Sequence, residues 1–230
     1  MSNIIEEIKS TQCTDIDHIF SELYKNKSCA VVGNGSVVLE YKDGAAIDAH
    51  DAIIRCNQTP LLEYGDSVGT RTDIRIMNSH FFAALKGDST HIEHMKSIAP
   101  KFDENYLYTL QNEIIIVKYG VHKSMFTEEI EKIESRNNKV LFLSPSFYNL
   151  GISMLNIHPT NGFIALLFAM KYFKDVSHFG FGFYTEKEKH YYQHLQIQNE
   201  TGSCHDNLKE RDIFLQFEEK NYIKKRGKTK

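Results

Sequence analysis

The stretch Cys29-Ala-Val-Val-Gly33-Asn34-Gly35-Ser36 decides the fold, because four small or β-branched apolar residues run without a break into a glycine turn. A run this short and this uniformly apolar reads as a strand buried on both faces. The glycine turn at its carboxyl end lets a backbone approach a nucleotide without interference from a Cβ. Similar runs recur at residues 52–56, 74–77, 114–117, 140–143 and 176–181, separated by polar or helical stretches. Buried runs alternating with helices require a mostly parallel sheet covered on both faces, so an α/β fold is expected.

Before the first run, Ile4, Ile5, Ile8, Ile16, Ile19, Phe20 and Leu23 keep a helical spacing, which predicts one or two covering helices over residues 1–27. Pro159-Thr160-Asn161-Gly162 precedes an apolar stretch over residues 163–170, and Asp206 and Glu210 open a stretch ending Phe214, Leu215 and Phe217. Both starts read as helix N-termini facing a ligand. Residues 86–112 lack a clear period and are expected to form a long loop over the site. No repeat, low-complexity tract or Pro/Gly/Ser-rich linker divides the chain, so residues 1–230 are read as one domain.

Composition narrows the function classes. A 230-residue chain with 41% hydrophobic residues can fill one core. No run approaches the ~20 apolar residues that cross a bilayer, and residues 1–17 carry no apolar signal-peptide core, so a cytoplasmic location is expected. A formal net charge of −3 with interspersed signs makes no case for nucleic acid. The exception is a basic tail at residues 220–230, with Lys220, Lys224, Lys225, Arg226, Lys228 and Lys230 and no acidic residue. It reads either as a solvated end or as a peripheral contact with anionic lipid at the inner membrane face. Cys13, Cys29, Cys56 and Cys204 are scattered without a CxxC pair, which fits reduced thiols.

The turn also excludes some chemistry. A dinucleotide fingerprint needs a third glycine three positions after Gly35, where this chain has Val38, and no GxxxxGK[ST] loop exists. The one Asp-x-Asp, Asp15-Ile16-Asp17, precedes the first strand and reads as a solvated helix face. His190 and His194 stand four apart and would suit zinc on a helix, but no third ligand is evident, so no metal is expected.

Cys29-Ala-Val-Val-Gly-Asn-Gly35 is followed by Ile47-Asp-Ala-His-Asp51, Ile54-Arg-Cys-Asn57 and Val68-Gly-Thr-Arg-Thr72. Over about forty-five residues this order resembles the L motif of the animal-type sialyltransferase family, glycosyltransferase family 29. Pro159-Thr-Asn-Gly162 with its apolar helix and Phe179-Gly-Phe-Gly182 resembles the S motif, His190-Tyr-Tyr-Gln193 resembles motif III, and His205 with Glu210 fits the VS spacing. The resemblance implies a Rossmann-like domain, a glycosyltransferase-A variant. It implies inverting, metal-independent transfer of a sialic acid from a CMP-sialic acid donor, with no cofactor, to a glycan or glycolipid acceptor ending in galactose.

By the same resemblance Asn34, Gly35 and Asn57 meet the phosphate and ribose side of the nucleotide, and Thr160, Asn161, Gly162 and Gly182 line the cytidine and phosphate. His190 binds the leaving phosphate, with the hydroxyls of Tyr191 and Tyr192 beside it. A hydroxyl acceptor needs a base that titrates near neutrality, which is the role given to His205. Glu210 is read as structural support, its carboxylate meeting backbone N–H groups at the opening of its helix. His50 is read as a hydrogen-bonded turn residue, and His80, His91, His94 and His122 as surface residues.

The chain departs from the family pattern at four places. Gly33-Asn34-Gly35-Ser36 stands for the usual Gly-Asn-Ser-Gly, Asn161 for Ser or Thr, and Gln193 for an acidic residue. Phe173 stands where the family has the cysteine that pairs with the L-motif cysteine, which leaves Cys29 without that partner. Two rival readings stay open: transfer of another CMP-activated ulosonic acid such as Kdo, and a catalytically silent CMP-binding module.

Overall fold

The structure is a computed structural model, and it describes residues 2–99, 101–118, 122–183, 190–192 and 205–225. Seven strands form one sheet: β1 (Ser28–Val32), β2 (Ala52–Cys56), β3 (Ile74–Met77), β4 (Ile114–Val117), β5 (Lys139–Phe142), β6 (Asp175–Phe179) and β7 (Lys224–Lys225). Their order across the sheet is β5-β4-β3-β2-β1-β6-β7, and every neighbouring pair is parallel. The chain therefore steps outward from β1 to β5, then returns to the other side of β1 to lay down β6. That reversal makes β1/β6 the topological switch point, where the loops leaving the strands diverge and open a crevice at their carboxyl ends.

Side chains alternate across the sheet as the two-residue period demands. Cys29 and Val31 join Ala52, Ile54, Ile74, Ile76 and Val176 on one face. That face is covered by α1 (Ser2–Ser10), α2 (Thr14–Leu23), α8 (Pro145–Leu155), α9 (Asn161–Tyr172) and α10 (Asn207–Glu219), all of which contribute to the same core. Helix α9 is apolar nearly all round, and it packs on β1, β2, β3 and β6 with α1 and α8 beyond it. On the opposite face Ala30, Val32, Ile53 and Phe179 pack with Ile47 of α3 (Gly44–Asp48). The outer strands there meet α5 (His80–Leu85), α6 (Ser89–Ile98) and α7 (Thr127–Glu134), with α4 (Gly65–Val68) beside α3.

The expected α/β architecture is present, and the six apolar runs are β1 to β6 to within two residues. The sixth ends at Phe179 rather than 181 because Gly180 turns out of the strand with φ +68°. Residues 86–112 differ from expectation. Asp88 accepts a hydrogen bond from His91 N at 3.2 Å and caps α6, and residues 106–109 form a 3-10 turn, so the segment is built and not a long loop. The His80 ring lies 5.1 Å from His91 and 5.7 Å from His94; His80 and His91 are half-buried rather than on the surface, whereas His94 and His122 are exposed as expected. The N-terminal Asp15 is exposed, whereas Asp17 accepts from Tyr172 Oη at 2.7 Å and pairs with Lys171, tying α2 to α9.

Among the described cysteines, Cys13, Cys29 and Cys56 are free and buried. At the position of the family's second cysteine, Phe173 lies 4.9 Å from the Tyr24 ring.

The sheet also buries charge. Arg55 and Arg75 are register partners on β2 and β3 and are almost wholly enclosed. Arg75 donates to both carboxylate oxygens of Glu113, at 2.6 and 2.8 Å, and to Asn57 O at 2.7 Å. Losing one partner of such a pair strands a buried charge, which costs about 3–5 kcal/mol, whereas an apolar pair of similar volume avoids that penalty. Urea unfolding of Arg75→Met is expected to show a loss of that size, and the Arg75→Met/Glu113→Leu double variant less than half of it. Equal losses would mean that the pair holds the sheet through packing alone.

Candidate active site

The crevice at the switch point is built where two backbones touch. Gly33 N donates to Phe179 O at 2.8 Å and Gly35 N to Gly180 O at 3.0 Å, which zips the loop after β1 to the loop after β6. A Cβ on Gly33 would stand 2.7 Å from Gly180 O, and one on Gly180 would stand 2.6 Å from Gly33 O. Only glycine fits both positions. Gly35, by contrast, has φ −62° and ψ 143°, a backbone that any residue adopts. The steric need for glycine in the turn therefore falls on Gly33 and its partner Gly180, a residue the sequence reading gave no role.

Asn34 follows Gly33 and ties three segments together. Its Nδ2 donates to Cys56 O at the end of β2 at 3.2 Å and to Tyr192 Oη at 3.5 Å, while its Oδ1 accepts from Thr59 Oγ1 at 3.4 Å. Its carbonyl accepts from Tyr191 N at 3.0 Å. Asn57, just past β2, takes a left-handed backbone with φ +55°, and its Oδ1 accepts from Asn78 N at 2.9 Å and Asn161 Nδ2 at 2.7 Å. The Asn78 N–H can only donate, so the Asn57 amide orientation is fixed, and with it that of Asn161. The Asn161 Oδ1 is left buried without a hydrogen-bond partner.

Helix α9 points its first turn at these groups. Thr160 caps it, with Oγ1 accepting from Phe163 N at 3.0 Å, and Gly162 in the first turn packs under the Phe181 ring of the loop after β6. Unpaired N–H groups and the positive end of the helix dipole at such a turn suit a phosphate. Gly182 is half-buried in the same loop as Phe181.

Glu210 fixes the cap from outside. Its carboxylate accepts from Thr160 N and from Thr160 Oγ1, each at 2.7 Å. The expected backbone partner is therefore on another helix and not in the opening turn of α10, where Asp206 already caps by accepting from Lys209 N. Burial pushes the Glu210 carboxyl up to about 7, against the lowering effect of the Thr160 bonds and of Lys118. Lys118, at the end of β4, is itself buried and donates to Pro159 O at 2.7 Å, with its ammonium 5.5 Å from the Tyr148 ring centroid.

The two histidines flank the crevice. His190 stacks on Tyr192 with ring planes 4° apart, on the Asn34 side. His205 lies beside the segment that leads into α9, with Nδ1 2.8 Å from His158 O. A carbonyl only accepts, so Nδ1 carries the hydrogen, and the neutral ring has its lone pair on Nε2. His158 in turn has Nδ1 3.0 Å from Tyr148 Oη. Tyr191 is wholly buried and donates its hydroxyl to Pro60 O at 2.7 Å, so in this structure it anchors the segment while Tyr192 reaches Asn34. His50 holds its helix end, with Nδ1 2.9 Å from Ala46 O.

Gln193, His194, Cys204 and residues 226–230 lie outside the described residues. Among the described residues no three His, Cys, Asp or Glu side chains are placed to hold a metal. An open groove of roughly 830 Å³ along Leu39, Asp48, Leu62 and Tyr64 contains none of these site residues.

The crevice at β1/β6, the two asparagines at the strand ends and the capped apolar helix aimed at them define a doubly covered parallel α/β protein with its polar site at the switch point. The model of glycosyltransferase family 29 (sialyltransferase) matches residues 1–222, and the chain belongs to that family. A rat type 2 lactosamine alpha-2,3-sialyltransferase is 29% identical over 216 residues, covering 87% of this chain and 63% of the relative. A chicken CMP-N-acetylneuraminate-beta-galactosamide-alpha-2,3-sialyltransferase 1 is 26% identical, covering 72% of this chain and 47% of the relative. The chain thus spans between about half and two thirds of the length of these relatives. Among solved structures, a mammalian sialyltransferase superposes with a TM-score of 0.65 at 18% identity, covering 98% of this chain and 78% of that one. The monofunctional alpha-2,3-sialyltransferase Cst-I of Campylobacter jejuni gives 0.54 at 13% identity, covering 91% and 78%. These last two likenesses are of fold.

The raised Glu210 carboxyl makes stability depend on pH. Its folded value of about 7 stands above the ordinary 4.5, so the folded chain holds the proton more tightly than the unfolded one. The stability this provides is fully present below pH 4.5 and is lost as pH rises towards 7, a fall of about 3 kcal/mol at most. Glu210→Gln is expected to flatten that fall in urea titrations run from pH 4.5 to 8. A variant with the same slope as the parent would show that another group carries it.

Proposed function

We propose that the chain transfers a sialic acid from CMP-sialic acid to a hydroxyl of an acceptor glycan, with inversion and without a metal ion. The observation that carries the proposal is the meeting of Asn34, Asn57 and the Thr160–Gly162 turn at the switch point, with His205 set beside that turn as a base. Asn34 and Asn57 mark the strand-end wall for the nucleotide. The first turn of α9, with its cap held by Glu210, takes the phosphate.

In the reaction His205 Nε2 accepts the proton of the acceptor hydroxyl as its oxygen bonds to the anomeric carbon of the donor sugar. The bond from that carbon to the phosphate oxygen breaks, and CMP leaves with the electron pair. A single displacement of this kind inverts the anomeric centre. His190, oriented by its stacking on Tyr192, donates to the departing phosphate. Nucleoside monophosphate is a stable leaving group near neutrality, so fixed hydrogen bonds and the helix dipole suffice without a bridging metal. The Asp15-Ile16-Asp17 pair lies in α2, and Asp17 is engaged by Tyr172 and Lys171, which fits this reading.

The names of the relatives, type 2 lactosamine and beta-galactosamide alpha-2,3-sialyltransferases, support a terminal galactose as acceptor and its 3-hydroxyl as the nucleophile. The proposal extends to a cytoplasmic site of action, with Lys224 and Lys225 exposed on the edge strand for contact with an anionic membrane face.

The test is release of CMP from CMP-sialic acid in EDTA with galactose-terminated acceptors. Turnover should survive EDTA, and His205→Ala should lower it by about 100-fold or more while CMP still binds. Turnover of CMP-Kdo alone would move the donor assignment and keep the mechanism. CMP binding with no turnover of any donor would make the chain a binding module.

A further inference from the structure

We propose that Lys118 is a positioning residue for the donor site, holding the Pro159–Thr160 turn from one side while Glu210 holds it from the other. The proposal rests on the donor reading above, because the turn matters only if the first turn of α9 takes the nucleotide.

Lys118 stands where β4 ends, with its own N–H paired to Met77 O at 2.8 Å. Its side chain leaves the sheet and places Nζ 2.7 Å from Pro159 O, 8% exposed overall. On the opposite edge of that same peptide, Glu210 from α10 takes the N–H of Thr160, and it takes the Thr160 hydroxyl as well. The two edges of one peptide are thus gripped by a buried cation just past β4 and a buried anion on α10. The grip lies directly before Asn161 and Gly162, so it sets the direction in which the first N–H groups of α9 point.

A buried ammonium is expensive unless it has a task, and a neutral donor would satisfy Pro159 O equally well. The charge also acts on Glu210. Glu210 feels Lys118 from β4, Asp206 from its own cap, the Cys56 thiol from β2 and the Thr160 hydroxyl, and of these Lys118 is the cation. Lys118 therefore favours the ionised carboxylate, and that form accepts both Thr160 hydrogen bonds at once. Without the ammonium the carboxyl would keep its proton to higher pH, and one Thr160 bond would have to reverse or break.

The experiment compares Lys118→Gln, which keeps a donor without the charge, with Lys118→Arg, which keeps the charge, and with Lys118→Met. The first readout needs no nucleotide: urea stability from pH 4.5 to 8.5. In Lys118→Gln and Lys118→Met the fall of stability with pH should extend about half a pH unit or more further up, and a Glu210→Gln background should erase the difference. Lys118→Arg should follow the parent. The second readout is CMP binding by calorimetry, with KM and kcat for CMP-sialic acid. Lys118→Gln should weaken CMP binding and raise the donor KM by about tenfold, with kcat changed much less, because binding and not the chemical step depends on the turn.

Unchanged CMP affinity together with an unchanged stability profile in Lys118→Gln overturns the proposal. Should Lys118→Met fail to fold, the Gln and Arg variants carry the comparison. A stability profile that moves with Lys118 in a chain that binds no CMP, parent included, would uphold the grip on the turn and defeat the donor reading instead.

Discussion

Gly33 and Gly180 meet carbonyl to Cα, and the site exists because they can. Any side chain at either position would stand too close to the facing carbonyl and drive the loops after β1 and β6 apart, and those loops form the crevice wall. Their closeness follows from topology. β1 is the strand about which the chain reverses, so its loop turns one way and the β6 loop the other, and the hydrogen bonds of Gly33 and Gly35 join them at the root. From that junction Asn34 reaches β2, Asn57 reaches α9, and α9 is held by α10. Each polar contact of the site is a step away from the same backbone meeting.

Beneath this surface the sheet carries more charge than a parallel sheet usually encloses. Arg55 donates to the carbonyls of Val68 and Arg71, Arg75 is bound to Glu113 and to Asn57 O, and Lys118 to Pro159 O. In each case a cation on a strand or at its end reaches a carbonyl outside the sheet. Buried ion pairs add little net stability over apolar packing, but they tolerate few geometries. The common outcome is that irregular backbone, which has no ladder to hold it, is fixed by cations anchored in the most rigid part of the molecule. Arg55 also keeps one buried nitrogen, Nη1, without a hydrogen-bond partner, and its burial draws it down to about 10.

The sheet was legible because burial on both faces writes itself as unbroken apolar runs, and six of the seven strands follow from that rule alone. β7 carries no such mark, being two exposed lysines on the edge beyond β6. Helix α6 was hidden for a related reason: it carries only three apolar residues, Ile92, Met95 and Ile98, each separated from the next by two polar ones, and its Asp88 cap was the better signal. At the candidate site, the order of motifs singled out Asn34, Asn57, Thr160 and His205, which the fold sets around the strand ends and the start of α9. It did not locate Thr59, Gly180 or Lys118, because their roles arise from contacts between segments far apart in sequence. Tyr191 shows the converse, since a residue type that suits a phosphate is spent on an interior carbonyl.

The three described thiols share one circumstance. Cys13, Cys29 and Cys56 are each enclosed, and burial raises all of them, Cys56 to about 12, so none is a thiolate near neutrality. Where the family would place a second cysteine, Phe173 and Tyr24 fill the volume with rings. Folding of this region thus contains no oxidative step that these thiols must complete, and no peroxide or disulfide exchanger can reach them in the closed core. An alkylating reagent that did modify Cys29 would be a clock for how often β1 opens.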